Sequence, residues 1–119
     1  MLIIDDNTDL AGSLRCLLEH HGCRVEIARD GVEGVRKAID GSPDVVIVDI
    51  VMPGITGYEV ARLLRQRLSY HAILIAQTAY GSPEDRDTAL ACGFDEHLIK
   101  PAEPNRLIRQ VVSARRVGD

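Results

Sequence analysis

Five polar residues spread along the sequence have side chains suited to phosphoryl transfer. They are Asp5, Asp6, Asp49, Thr78 and Lys100, and each follows closely on a short apolar run. Carboxylates are ligands for hard cations such as Mg²⁺, and a carboxylate can also attack phosphorus to form an aspartyl-phosphate. A hydroxyl and an ammonium group can hold the equatorial oxygens of the group in transfer. Brought together, these residues predict a site that carries phosphate.

The charges in such a site divide the residues into roles. Three carboxylates within a few ångströms repel one another, and a divalent cation between them relieves that repulsion. Asp49 is the candidate nucleophile because it would lie between this cation, held by Asp5 and Asp6, and the ammonium group of Lys100. The Thr78 hydroxyl would take another phosphoryl oxygen.

Short apolar runs that alternate with helical patterns predict the elements that position these residues. Strands are expected near 2–4, 25–27, 45–48, 72–76 and 94–99. Helices are expected near 10–21, 31–40, 57–68, 83–92 and from Pro104 onward. For the second helix we expect a buried face made of Val32, Val35 and Ile39. Five strands alternating with five helices predict an α/β fold, a parallel sheet with helices on both faces.

The predicted polar residues all follow the carboxyl ends of strands. In an open α/β sheet, ligands bind beyond these ends. The first, third, fourth and fifth strands would therefore bring the set to one edge of the sheet.

Composition narrows the function classes further. The 119 residues fit one domain, and a net charge of −4 with only four aromatic residues disfavours direct nucleic-acid binding. No apolar run reaches the ~18 residues of a membrane span, and the acidic start is unlike a signal peptide. Three cysteines without a C-x-x-C pair favour a reducing cytoplasm. His20, His21 and Cys23 are better read as residues at a helix end than as a metal cluster.

Four stretches together resemble the receiver domain of two-component response regulators. They are Leu-Ile-Ile-Asp-Asp-Asn at 2–7, Pro-Asp-Val-Val-Ile-Val-Asp-Ile-Val-Met-Pro-Gly-Ile-Thr-Gly at 43–57, Thr-Ala at 78–79 and Ile-Lys-Pro at 99–101. The resemblance implies a flavodoxin-like (βα)5 sandwich with a five-stranded parallel sheet in the order 2-1-3-4-5. It covers the chain as a single receiver domain, 1–119, in which 113–119 form a frayed tail or the start of a linker.

The same resemblance implies a role for each site residue. Asp49 takes a phosphoryl group from a phosphohistidine of a histidine kinase or a histidine phosphotransfer domain. Asp5, Asp6, Asp49 and the backbone carbonyl of Val51 hold Mg²⁺ or Mn²⁺. Lys100 pairs with the acceptor, and Thr78 turns inward toward the phosphoryl group to control an output protein or domain. Self-catalysed transfer and autodephosphorylation are expected, without turnover of a separate substrate.

Two positions depart from the family pattern. His97 stands where the family often has Tyr or Phe, and it is either a surface histidine or a switch side chain with a smaller ring. Gln77 replaces a residue that is usually smaller or apolar, and the sequence assigns it no role. The stretch 94–104 also resembles receivers attached to hybrid sensor histidine kinases, so a stand-alone chain and an excised domain both stay open.

Two other functions fit parts of the pattern. A pseudo-receiver would share the fold and bind proteins without being phosphorylated, but the five-residue set argues against it. A small phosphatase with an aspartate nucleophile, like the haloacid dehalogenases, would need a second aspartate two residues after Asp49, where the sequence has Val51. A dinucleotide-binding domain lacks its G-x-G-x-x-G after the first strand.

Overall fold

A computed structural model of the chain describes residues 1–78, 83–99 and 108–109. Within these ranges, five strands alternate with four helices. In chain order they are β1 (Leu2–Ile4), α1 (Thr8–His20), β2 (Glu26–Ala28), α2 (Gly31–Gly41), β3 (Val45–Asp49), α3 (Gly57–Arg67), β4 (Ile73–Thr78), α4 (Pro83–Cys92) and β5 (Glu96–Ile99). Lys100, the predicted tail 113–119 and the fifth predicted helix, apart from residues 108–109, lie outside the described residues.

All the strand pairings are parallel, and the sheet order is β2-β1-β3-β4-β5. This confirms the fold class and strand order predicted from the sequence. The main difference in bounds is β4, which continues past the apolar run to Thr78. The extension aligns Gln77 with Asp49, so β4 reaches the same edge of the sheet as the end of β3.

The central strands are buried on both sides, which explains why they read as continuous apolar runs. Alternate residues of β3 enter two separate core clusters. Val46 and Val48 pack with residues of α2, α3 and α4, whereas Val45 and Ile47 pack with residues of α1. The sheet therefore forms the middle layer, and its edges remain available for a site.

The predicted buried face of α2 is wrong for Val32 and Ile39, whereas Val35 is partly buried against the core as predicted. Val32 and Ile39 are 69% and 42% exposed, while Gly31, Gly34 and Ala38 face the interior. The reason is close packing, since a Cβ atom on Gly34 would collide with the side chain of Ile4 in β1. The small residues let the helix lie against the sheet and turn its larger apolar residues outward.

Side-chain caps fix where three of the helices begin. Asn7, Asp30 and Thr56 each accept a hydrogen bond from the backbone N–H three residues ahead, at 3.1, 2.8 and 3.3 Å. Each bond satisfies a donor that has no partner within the helix. Asn7 and Thr56 stand in the segments after β1 and β3, so the caps also hold the chain next to Asp5 and Asp49.

Arg65 joins α3 to the opposite edge of the sheet. Its guanidinium donates to the carbonyls of Gly93 and Ala72, and it forms an ion pair of 2.8 Å with Asp95. Asp95 also accepts from the backbone N–H of Leu74 at 2.8 Å and contacts His71. This cluster links the starts of β4 and β5. It lies at the opposite end of the strands from Asp5, Asp6 and Asp49.

No helix in the described part of the chain combines the length and apolar character that a membrane span needs. The three cysteines all fall within the described ranges, and no disulfide joins them.

Candidate functional site

Three carboxylates meet at the carboxyl edge of the sheet. Asp5, Asp6 and Asp49 each place one oxygen within 4.8 Å of the oxygens from the other two. Asp5 and Asp49 are buried, and Asp6 is exposed. Acidic groups this close and this poorly solvated repel strongly. An all-oxygen set of this kind suits a hard divalent cation, which would reach it from the side where Asp6 faces solvent.

Asp49 is held at the end of the most buried strand. Its Oδ1 accepts a hydrogen bond of 3.3 Å from the backbone N–H of Val51. The next residue, Ile50, donates from its backbone N–H to the carbonyl of Gln77 at 3.0 Å, so pairing with β4 continues one residue beyond the strand. Asp49 therefore lies on a rigid element and not on a free loop.

Asp5 is oriented by the start of α1. Its Oδ1 accepts from the backbone N–H of Asn7 at 2.9 Å, and its own N–H donates to the carbonyl of Ala28 in β2 at 3.0 Å. Because Asn7 also caps α1, one residue fixes both the helix and the carboxylate. This role of Asn7 was not predicted from the sequence, although an asparagine three residues before the apolar Leu10 is a typical capping signal.

Gly57 lets α3 begin directly against the end of β3. A Cβ atom at this position would lie 2.6 Å from the Asp49 carbonyl oxygen and 2.7 Å from the Ile50 Cα. The Gly57 N–H donates to the Ile50 carbonyl at 3.0 Å. Gly57 thus lets the loop 50–56 return to the end of β3, next to Asp49.

The other predicted site residues are placed as follows. Thr78 is the last residue of β4, is 2% exposed and is aligned with Ile99 at the end of β5. Val51 lies two residues after Asp49, and its backbone N–H donates to the Asp49 carboxylate. Lys100 comes directly after Ile99 in the sequence, outside the described residues.

Gln77 is buried beside Asp49. It is 5% exposed and aligned with Asp49 across the β3–β4 pair. Residues aligned on neighbouring strands point to the same face of the sheet, so the amide lies on the side of Asp49. The end of β4 therefore carries a buried neutral polar residue at a position where the apolar pattern of the strand would have continued with an apolar one.

His97 is half-buried on β5, and its Nε2 atom is buried without a hydrogen-bond partner among the described residues. It is aligned with Ala76, on the face of the sheet that α4 covers. Burial lowers the pKa of His97 below its usual value of 6.5, with a smaller opposing effect from Asp85 and a further lowering from Arg86. The ring is therefore neither fully exposed nor fully satisfied by the protein.

This burial predicts a pH dependence of folding. Because the pKa of His97 is lower in the folded chain, the unfolded chain takes up the proton first as pH falls through 6.5. The free energy of unfolding that His97 contributes is thus present above pH 6.5 and is lost as pH falls through its folded pKa. Urea unfolding of wild type and His97→Phe at about pH 7.5 and pH 5.5 should show a smaller loss in the variant. His20→Phe, on the exposed surface of α1, should keep the wild-type loss, and equal losses in all three proteins would contradict the prediction.

Comparison with families of known proteins matches residues 1–112 to the response regulator receiver domain. The chain is a response-regulator receiver domain. This confirms the resemblance predicted from the motifs at 2–7, 43–57, 78–79 and 99–101, and it places the chain in two-component signalling.

Curated relatives share the receiver domain over nearly its whole length. The response regulator ArlR of Staphylococcus haemolyticus is 34% identical over 111 residues, which are 93% of this chain and 50% of ArlR. An uncharacterized 14.6 kDa protein of Leptolyngbya boryana is 35% identical over 112 residues, 93% of this chain and 86% of that protein. The receiver domain thus spans about half the length of ArlR and most of the smaller protein.

Solved structures agree with the fold. The receiver domain of Francisella response regulator 1452 superposes with a TM-score of 0.93 at 26% identity, covering 99% of this chain and 97% of that one. The chemotaxis protein CheY4 of Vibrio cholerae superposes with a TM-score of 0.87 at 30% identity, covering 95% of each chain. The receiver architecture is therefore retained along almost the whole chain.

Proposed function

We propose that this receiver domain accepts a phosphoryl group on Asp49, from a phosphohistidine, and changes conformation in response. The observation that carries the proposal is the meeting of Asp49 with Asp5 and Asp6 within 4.8 Å at the carboxyl edge of the sheet. Two of these three carboxylates are buried, and a cation bound between them would offset part of the cost of burying their charges. We assign the acceptor role to Asp49 because it ends the central strand β3. The acid pair Asp5 and Asp6, which follows the neighbouring strand β1, lies beside it.

The metal that this family uses fits the residues present. Asp5, Asp6 and Asp49 would hold Mg²⁺ or Mn²⁺, together with the backbone carbonyl of Val51, and all of these ligands are oxygens. When bound, the cation would neutralise the carboxylates and the charge of the incoming phosphate. Asp5 is oriented for this by its bond from the Asn7 N–H, and Asp6 supplies the solvent-facing ligand.

The transfer step itself uses the carboxylate of Asp49. One of its oxygens attacks the phosphorus, the P–N bond to the donor imidazole breaks, and that electron pair stays on the histidine nitrogen. We assign Lys100 to the new phosphoryl oxygens as a counter-charge and Thr78 as a hydrogen-bond donor. The aspartyl-phosphate carries about −1.5 to −2 charges in place of the single charge of the carboxylate, and it presents three acceptor oxygens at this edge.

The switch follows from differential contacts. A phosphoryl group that the Thr78 hydroxyl reaches only in one loop conformation favours that conformation. Charge-assisted hydrogen bonds contribute about 1.5–3 kcal/mol each, a large part of the ~5.5 kcal/mol needed to reverse a 1:99 population. His97, half-buried near α4 with an unpartnered Nε2, is the side chain on β5 that we expect to move with Thr78.

The partners follow from the same proposal. A histidine kinase or a histidine phosphotransfer domain would supply the phosphate, and an output protein or domain would read the switch. Because the chain spans half of ArlR, the output belongs either to a longer protein, a hybrid kinase included, or to a separate one. We place the domain in the cytoplasm, in keeping with three cysteines that form no disulfide.

Phosphorylation by a small donor tests the proposal directly. After incubation with acetyl phosphate and Mg²⁺, intact mass spectrometry should show one added phosphoryl group that hydroxylamine removes, and peptide mapping should locate it on Asp49. Adding EDTA before the donor should prevent the reaction. A chain that stays unmodified while a control receiver is labelled would favour the pseudo-receiver, and continuous release of phosphate from p-nitrophenyl phosphate would favour the phosphatase.

A further inference from the structure

We propose that the groove between α2 and α3 binds an amphipathic helix of a partner protein that carries acidic side chains beside its apolar stripe. The groove is lined by residues of α2 and α3 and by Ile55 of the loop between β3 and α3, and its lining contains none of the three carboxylates. The proposal does not depend on phosphorylation of Asp49, since it is drawn from the groove alone.

The floor of the groove is apolar and is formed by residues of α2 and α3. Val32, Val35 and Ile39 line it from α2, at positions i, i+3 and i+7, and Leu63 lines it from α3. Its volume is about 400 Å³. Val32 and Ile39 are 69% and 42% exposed, so the packing of the chain leaves this stripe uncovered. An apolar row along one helix can pack against the apolar face of a second helix, whose own anchors lie at i, i+3 or i+4, and i+7.

The rim of the groove is positively charged, against the net charge of the chain. Arg36 and Arg67 stand on its two sides with one acid, Asp40, which gives the rim a net charge of +1 while the whole chain carries −4. None of these three forms an ion pair with another described residue. Unpaired arginines beside apolar surface are typical of interface anchors, and their charge selects acidic side chains.

A partner helix explains the surface better than two other occupants. A small molecule needs polar groups that converge inside its pocket, whereas here the charged groups stand on the rim. A second copy that offered the same groove across a two-fold axis would bring two rims of net charge +1 together. A second copy that offered a different surface, such as the acidic start of α4, would make a head-to-tail contact. Such a head-to-tail contact does not close, and two chains of net charge −4 repel each other.

A selection of displayed helical peptides tests the proposal. Peptides with randomised faces are selected on the unphosphorylated full chain, and the winners are synthesised with a fluorescent label. We expect an apolar stripe of i, i+3/i+4, i+7 spacing flanked by Asp or Glu. Fluorescence anisotropy should show at least about tenfold weaker binding to Ile39→Glu and to Arg67→Glu. Replacing the acidic residues of a peptide by lysine should restore binding to Arg67→Glu.

Matched variants control for unfolding and for general charge. Leu90→Glu changes a side chain on α4 that is 41% exposed, close to the 42% of Ile39, and Arg62→Glu changes an exposed arginine of α3 outside the groove. Both should bind the peptides as wild type does. Winners that lack acidic residues, or that bind Ile39→Glu equally well, would overturn the proposal. Dimerisation lost in Ile39→Glu, or dodecanoate bound at the groove in place of peptides, would replace it with one of the other occupants.

Discussion

Asparagine at position 49 is expected to abolish phosphorylation by acetyl phosphate, while the chain stays folded. The amide has nearly the same shape as the carboxylate, but it lacks the anionic oxygen that attacks phosphorus. The neighbouring hydrogen bond from the Val51 N–H can still be accepted by the amide oxygen. The loss should therefore be chemical, and the label should fall below detection in intact mass spectrometry.

The stability of the variant separates this loss from misfolding. Asp49 lies within 4.8 Å of two other carboxylates, so removing its charge relieves repulsion in the absence of a cation. Asp49→Asn should therefore unfold at the same or a higher urea concentration than wild type when no Mg²⁺ is added. Mg²⁺ should stabilise wild type more than the variant, because the stability that a bound ion adds grows with the logarithm of its concentration over its Kd.

The matched control lies at the other end of the same strand. Asp44 directly precedes β3, and its half-exposed side chain stands 3.9 Å from the N-terminal ammonium, far from the carboxylate site. Asp44→Asn should be labelled as fast as wild type. If Asp49→Asn still gains a hydroxylamine-labile phosphate, the acceptor is another carboxylate, and Asp5 or Asp6 would have to take that role.

The fold was predictable because a strand buried on both faces and a partly exposed edge strand have different sequence patterns. A strand covered on both faces needs apolar residues throughout, and Val45–Val48 shows this pattern over four positions. The short edge strand β2 gave a weaker trace, since Glu26 is exposed and the pairing begins there and not at Val25. Polar Gln77 and Thr78 hid the end of β4, because an apolar run cannot mark a strand that continues into a site.

The face of α2 was not predictable from apolar spacing. The periodicity of Val32, Val35 and Ile39 is that of a buried stripe, yet the interior holds Gly31, Gly34 and Ala38. Close approach to Ile4 decides the outcome, and it depends on the distance between two elements far apart in sequence. Glycine carries no apolar signal of its own, so only the tertiary arrangement shows which face it serves.

The meeting of the three carboxylates was predictable from topology. Asp5 and Asp49 end neighbouring parallel strands, and the carboxyl ends of such strands share one edge. The backbone bonds that orient them were not predictable, because the N–H groups of Asn7 and Val51 reach the carboxylates through loop geometry. The partial burial of His97 likewise depends on how α4 packs over β5.

Alanine at position 57 is expected to destabilise the chain by at least about 2 kcal/mol, although it adds a single methyl group. The new Cβ atom would lie 2.6 Å from the Asp49 carbonyl oxygen and 2.7 Å from the Ile50 Cα. Both are backbone atoms of a buried strand end, so neither can rotate away as a side chain would. Relief requires α3 to move outward, which strains the bond from the Gly57 N–H to the Ile50 carbonyl and uncovers core residues such as Val60.

Gly12→Ala is the matched substitution, with the opposite expected sign. Gly12 lies inside α1, and a Cβ atom there meets nothing within 4 Å. Alanine should therefore stabilise the chain by about 0.5–1 kcal/mol through its better helix propensity. Urea unfolding at constant slope measures both changes. Equal stability of Gly57→Ala and wild type would mean that α3 tilts away from β3 at little cost. In that case the acceptor loop owes its shape to the Val51 contact and not to the close packing of the helix.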